Sequence, residues 1–168
     1  MKSITRTLFA LSLSTLVLAT ALPPAASADA PVRERDIVLT AQKAGSFKTL
    51  LRLVRLTGLQ DELKRGGPFT VFAPTDEAFA KLPAGTIESL EKDRAALKNI
   101  LLYHVVSGEV TAAQVVGLSF APTLQGGTIS ITVQGGGVVL NGTTNVIATD
   151  VFATNGVIHV IDSVLLPR

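Results

Sequence analysis

Apolar residues first recur at helical spacing from Phe47, where Phe47, Leu50, Leu51 and Val54 fall at i, i+3, i+4 and i+7 and form one helix face. Lys48, Arg52 and Arg55 take the opposite face, which reads as solvated rather than as a dock for an acidic partner. Ser46 stands where a cap belongs, and Gly58 where the helix should stop. An earlier helix is predicted from its cap Asp36 through Lys43, ended by Gly45, and a short helical turn runs from Gln60 to Lys64 before Gly66-Gly67-Pro68 breaks the pattern. Phe69, Val71 and Phe72 then form a strand that Pro74 ends. Thr75 caps a helix whose first turn holds Asp76 and Glu77, where carboxylates suit the positive end of the helix dipole, and Ala78, Phe79 and Leu82 turn toward the core. A further helix runs from near Asp93 to about Tyr103, with Leu97, Ile100, Leu101 and His104 along one face.

The period changes after Gly108. Thr111 caps a short helix through Val116, and from there the chain reads as strands. Ile129, Ile131 and Val133 alternate with Ser130 and Thr132, the signature of a half-buried strand. Gly135-Gly136-Gly137 turns into Val138-Val139-Leu140, and Asn141-Gly142 signals a tight hairpin with a return strand from Asn145 to Val151. The segment after Asn155-Gly156 is too apolar to be exposed: Val157, His159 and Ile161 face one way and Ile158 and Val160 the other, so it should be central in a sheet.

The first twenty-eight residues read as an address rather than as part of the fold. Lys2 and Arg6 precede an apolar run from Leu8 to Ala21, Pro23-Pro24 breaks it, and Ala26-Ser27-Ala28 fits a secretory cleavage site that would leave Asp29 first. The run, about fourteen residues, is short against the roughly twenty that span a bilayer. The segment holds two of the fifteen basic residues and none of the thirteen acids, so its removal takes the formal charge from +2 to zero. A nucleic-acid partner, which needs a positive field, loses its support. Beyond Asn99 only Glu109, Asp150, Asp162 and Arg168 are charged, leaving a surface suited to close association with another. The remaining chain, about 140 residues, is the size of one domain, organised as a lead over residues 29–35 and a domain over residues 36–168. It has no cysteine, so packing alone must hold it.

Candidate chemistry is sparse. Adjacent Asp76 and Glu77 diverge on a helix and do not make an acid/base couple. His104 continues an apolar stripe and reads as a hydrogen-bonded core residue. A zinc site would have to combine His104 and His159 with Asp76, Asp150 or Asp162, and no short-range ligand spacing announces one. The glycine run lacks the helix and lysine of a phosphate cradle, and no serine sits in a Gly-x-Ser-x-Gly elbow. Asn141-Gly142-Thr143 matches a glycosylation acceptor, but the hairpin is reason enough for Asn-Gly. The reading is therefore of a protein that is not an enzyme and carries no cofactor.

Three ordered elements, the run from Phe69 through Thr75 and Asp76 to Phe79, the pair Tyr103-His104, and Asn155-Gly156 through His159 and Asp162 with Val164-Leu165, resemble the signature boxes of the fasciclin family. The resemblance covers Asp36 to Pro167, and it brings the first two boxes together, which makes Asp76 the carboxylate expected to partner His104. It implies an α+β fold, a wedge-shaped two-sheet β-sandwich with an N-terminal group of helices packed along one edge. It also implies secretion to the periplasm, cell surface or medium, and cell adhesion through contacts with a cell-surface, host or extracellular-matrix protein. The layout of one module behind an export signal, with no further anchor, looks like that of bacterial members. In some animal members the Tyr-His region has been treated as an integrin-binding motif, which carries over to Tyr103 and His104 only. Tyr103 is the favoured binding residue, since a phenol buries its ring while presenting a polar edge. Other members bind lipophilic pigments, so a small-ligand carrier is the alternative.

Overall fold

The computed structural model describes residues 35–167. The export segment, its cleavage point after Ala28, most of the lead and Arg168 lie outside them. The described chain runs α1 (Ile37–Ala44), α2 (Lys48–Leu56), α3 (Leu59–Arg65), β1 (Phe69–Pro74), α4 (Asp76–Ala80), α5 (Thr86–Lys92), α6 (Arg94–Tyr103), β2 (Val105–Ser107), α7 (Ala112–Val115), β3 (Phe120–Pro122), β4 (Thr128–Gln134), β5 (Gly137–Leu140), β6 (Thr144–Ala153) and β7 (Gly156–Ile161). Helices thus dominate the first half and strands the second, as the change of period predicts.

The strands form one hydrogen-bonded run in the order β2-β1-β7-β6-β5-β4-β3. The expected layers are halves of this run, continuous through the long strand β6, whose pairing with β7 shifts register twice between Val146 and Val151. Its outer strands, β2 and β3, also meet: Val106 bridges Thr123, and the Leu124 N–H donates to the Val105 carbonyl at 2.8 Å. The sheet is therefore nearly a barrel, and it has two cores. Phe72, Val106, Ile129, Ile131, Leu140, Ile161 and Leu165 fill the interior of the curl, while Val71, Ala73 and Ile158 on its outer face pack against Leu50, Leu53, Leu59, Leu97 and Leu101 of the helices.

Strands β1 and β7 lie between these cores and are buried on both faces, which explains why their sequences are almost continuously apolar. They pair in parallel from Phe69 opposite Gly156 to Pro74 opposite Ile161. The first and last signature segments, far apart in the chain, are thus direct neighbours. At the start of this ladder Gly156 has φ 151°, and a methyl group there would overlap the Phe69 carbonyl.

Helix α5 has no counterpart in the sequence reading. Its seven residues bury no side chain fully, so no clear apolar stripe marks it. Ser46 does not cap α2: the helix starts at Lys48 behind Phe47, whose side chain is buried in the core, and the capping group comes from elsewhere in the chain. Replacing Gly156 with alanine is expected to lower stability by at least about 3 kcal/mol, because β7 must move away from β1 to admit the methyl. Denaturant unfolding of Gly156→Ala beside the parent measures it.

Candidate functional site

The polar residues of the signature segments converge on backbone groups. Asp76, in the first turn of α4, accepts the Thr49 N–H at 2.8 Å and the Lys48 N–H at 3.3 Å, while its own N–H donates to the Ser46 carbonyl at 3.0 Å. It is the cap of α2, supplied from another helix. Partial burial opposes its charge, but the hydrogen bonds from Thr49 and Lys48 and the Lys48 charge outweigh that and hold the carboxyl below its usual value. Thr75 caps α4 by accepting the Ala78 N–H at 3.2 Å, as expected.

Asn155 works in both directions. Its Oδ1 accepts the Ile37 N–H at the start of α1, and its amide nitrogen donates to the Leu63 carbonyl at the end of α3. Asp162 accepts the Asn145 N–H at 2.9 Å and the Asn145 amide at 3.0 Å. Burial raises its carboxyl, but the bonds from Asn145 and Ser163 and the nearby Lys81 charge prevail and lower it. Asp150, which takes a left-handed conformation at φ 56°, accepts the Ala112 N–H at 2.8 Å and so helps cap α7. Neither the dihedral nor the distant cap leaves a trace in the sequence pattern.

The histidines are structural in the same sense. His104 is buried at the end of α6, and Asp76 is not its partner, because that carboxylate is engaged at α2. Its Nε2 accepts the Leu165 N–H at 2.9 Å, so Nδ1 carries the proton donated to the Ile100 carbonyl at 2.8 Å. The ring therefore fastens the segment after β7, with Leu165 buried, to the end of α6. His159 lies inside the curl with its ring centroid 5.6 Å from that of Phe72, donates from Nε2 to the Val110 carbonyl at 2.8 Å, and accepts the Asp150 N–H at Nδ1. Burial lowers both imidazoles, against the pull of their carbonyl partners, and takes His104 to about 4. Among the described residues no three His, Cys, Asp or Glu side chains are grouped to hold a metal ion.

Tyr103 is buried to 5% exposure, with its hydroxyl donating to the Thr128 carbonyl at 2.9 Å and accepting the Asn141 amide at 3.1 Å. The other end of that amide, Oδ1, accepts the Ser130 N–H at 3.0 Å, so the Asn141 side chain holds the hairpin in place. Tyr103 and His104 point to different tasks: the phenol braces the β3–β4 turn and the Asn141 hairpin, and the imidazole braces the tail. Above the phenol lies a half-open hollow of about 650 Å³, lined by Tyr103, Phe120, Thr128, Ser130 and Asn141, with the Gln125–Gly127 turn and Pro167 at its margins. An enclosed apolar cavity between the helices and the sheet holds only about 40 Å³.

The family model for the fasciclin domain matches residues 45–167. The chain belongs to the fasciclin family. It is 50% identical over 133 residues to protein sll1483 of Synechocystis sp., a match covering 78% of this chain and 73% of that protein. It is 40% identical over 129 residues to immunogenic protein MPB70 of Mycobacterium bovis, covering 77% of this chain and 62% of that protein. A solved fasciclin domain pair from the insect cell adhesion molecule fasciclin I superposes with a TM-score of 0.71 at 24% identity, over 81% of this chain and 52% of that one, which establishes the shared fold. Among the described residues of this fasciclin domain no helix is long and apolar enough to cross a membrane.

Two predictions follow from the fasciclin hydrogen bonds. Below about pH 6.5 the unfolded chain protonates at His104 while the folded chain does not until about pH 4, so stability falls across that interval and levels off below it. The loss is about 3 kcal/mol from His104, and His159 adds in the same direction. Lowered Asp76 and Asp162 lose their contribution only at more acidic pH, below the ordinary carboxylate value, so urea unfolding between pH 7 and pH 4 isolates the histidines; His104→Gln should flatten the slope. Tyr103→Phe strips the Thr128 carbonyl and the Asn141 amide of their partner, with an expected cost of about 1–2 kcal/mol in the same assay.

Proposed function

We propose that this fasciclin domain is an exported, non-enzymatic interaction module that supports adhesion by contact with a protein on a cell surface or in a matrix. One observation carries the reading. Between Glu109 and Asp150 the chain has no charged residue, yet Val116, Leu118, Leu124, Val133 and Ile147 of that stretch are all exposed. Interface cores are depleted of charge in this way. The insect fold neighbour is a cell adhesion molecule, which supports the same direction.

Tyr103 and His104 take part by shaping this surface: one fixes its turn and hairpin, and the other its tail. The catalytic alternative has little to work with, since Asp76, Asp150, Asp162 and both imidazoles are committed to backbone groups. Carriage of a lipophilic ligand is the second reading, and the enclosed apolar cavity of about 40 Å³ supports it weakly beside ligand pockets of roughly 300–1,000 Å³. Export rests on the leading segment ending at Ala28, with residues 29–35 as a lead and residues 36–168 as the domain.

Purified protein should bind intact cells or envelope fractions saturably, and heat-unfolded protein should not. Val116→Asp and Leu118→Asp are expected to weaken that binding about tenfold, the scale of a charge placed in an apolar contact, while leaving the melting temperature unchanged. Absence of saturable binding, with an apolar molecule co-purifying, would favour the carrier.

A further inference from the structure

The hollow above Tyr103 has a composition unlike that of the apolar surface. Its floor is a row across the outer face of the sheet: Phe120 on β3 stands directly opposite Ser130 on β4, and Ser130 exchanges backbone and side-chain bonds with Asn141 on the other side. Thr128, two residues along β4, points to the same face. Phe120 is 62% exposed, so an aromatic ring lies open beside a line of hydroxyls and amides. Gly127 closes the near side, and a methyl there would stand 3.1 Å from the Tyr103 ring.

Several of these polar groups are unspent. The Gln125 Oε1 accepts the Gly127 N–H at 3.1 Å, which fixes the side chain and leaves its NH₂ group without a partner among the described residues. The Ser130 and Thr128 hydroxyls likewise have none among them. None of the described residues lining the hollow is charged.

We propose that this hollow binds a neutral saccharide. The electron-rich face of Phe120 suits the polarised C–H face of a pyranose ring, and the hydroxyls and amides beside it match the ring's own hydroxyls, which both donate and accept. Among the described residues a sulfated, phosphorylated or uronic ligand would find no cation there, and an amine no carboxylate. An extended peptide would need open backbone groups, but β3 and β4 are paired with each other where they floor the hollow. The volume, about 650 Å³, falls within the range of small-ligand sites and leaves room for a short oligosaccharide.

The test is an amide NMR titration of the purified protein with cellohexaose, maltohexaose and mannohexaose, and with a heparin hexasaccharide as the charged comparator. At least one neutral hexaose should shift the amides of Phe120, of residues 125–130 and of Asn141 saturably, with millimolar or tighter affinity, while heparin does not. Phe120→Ala should weaken that binding about tenfold or more, with its melting temperature unchanged because the ring is exposed, and Ile147→Ala should leave it alone. The site is overturned if no neutral hexaose moves these amides, if Phe120→Ala binds as the parent does, or if heparin binds equally well. Cell binding is scored with Val116 and Leu118 variants, so either proposal can fail without the other.

Discussion

The parallel pairing of β1 with β7 is the constraint on which the rest of this domain depends. Parallel strands cannot be joined by a tight turn, and here the connection between them is nearly the whole remaining fold: α4 to α7 and β2 to β6. Closing so long a loop costs conformational entropy before any contact compensates for it. The compensation is burial on both faces, with the helices against one side of the pair and the interior of the curl against the other. Both strands must therefore be almost wholly apolar, with buried Thr70 and His159 satisfied by backbone groups, and Gly156 must be small, because a methyl there would overlap the Phe69 carbonyl.

A fold built this way leaves helix ends stranded around the central pair, and the polar residues of the signature segments meet them. Asp76 reaches from α4 to the start of α2, Asn155 joins the start of α1 to the end of α3, and Asp150, outside those segments, reaches α7. His104 and His159 do the same inside the core, each for two backbone groups. Buried polar groups left unpaired are costly, so each of these residues is fixed by its partner as firmly as an apolar residue is by its neighbours. Each of these residues thus holds the fold together through the backbone groups it satisfies. The function proposed above draws on a different part of the chain, the uncharged stretch from Val110 to Thr149.

Local patterns made much of this legible in the sequence. Asp36 caps α1, Thr75 caps α4, Asp93 caps α6, and the Asn141-Gly142 hairpin lies where its residues place it, with Asn141 at φ 51°. The alternating faces of β7 were readable too, since two-sided burial marks a central strand. Contacts between distant segments were not. The family resemblance pairs Asp76 with His104 by bringing their two motifs together, yet the carboxylate serves the Thr49 and Lys48 amides and the imidazole serves Ile100 and Leu165. The hollow was equally hidden, because Phe120, Ser130 and Asn141 become neighbours only through the register of β3, β4 and β5.

Native-state hydrogen exchange of the backbone amides tests the central claim most directly. If the β1–β7 pair frames the domain, the amides of Val71, Phe72, Ile158 and Val160 exchange only through global unfolding, with protection equal to the unfolding free energy measured by denaturant. Exchange of these amides through a lower-energy opening, while those of β4 and β5 stay protected, would contradict it.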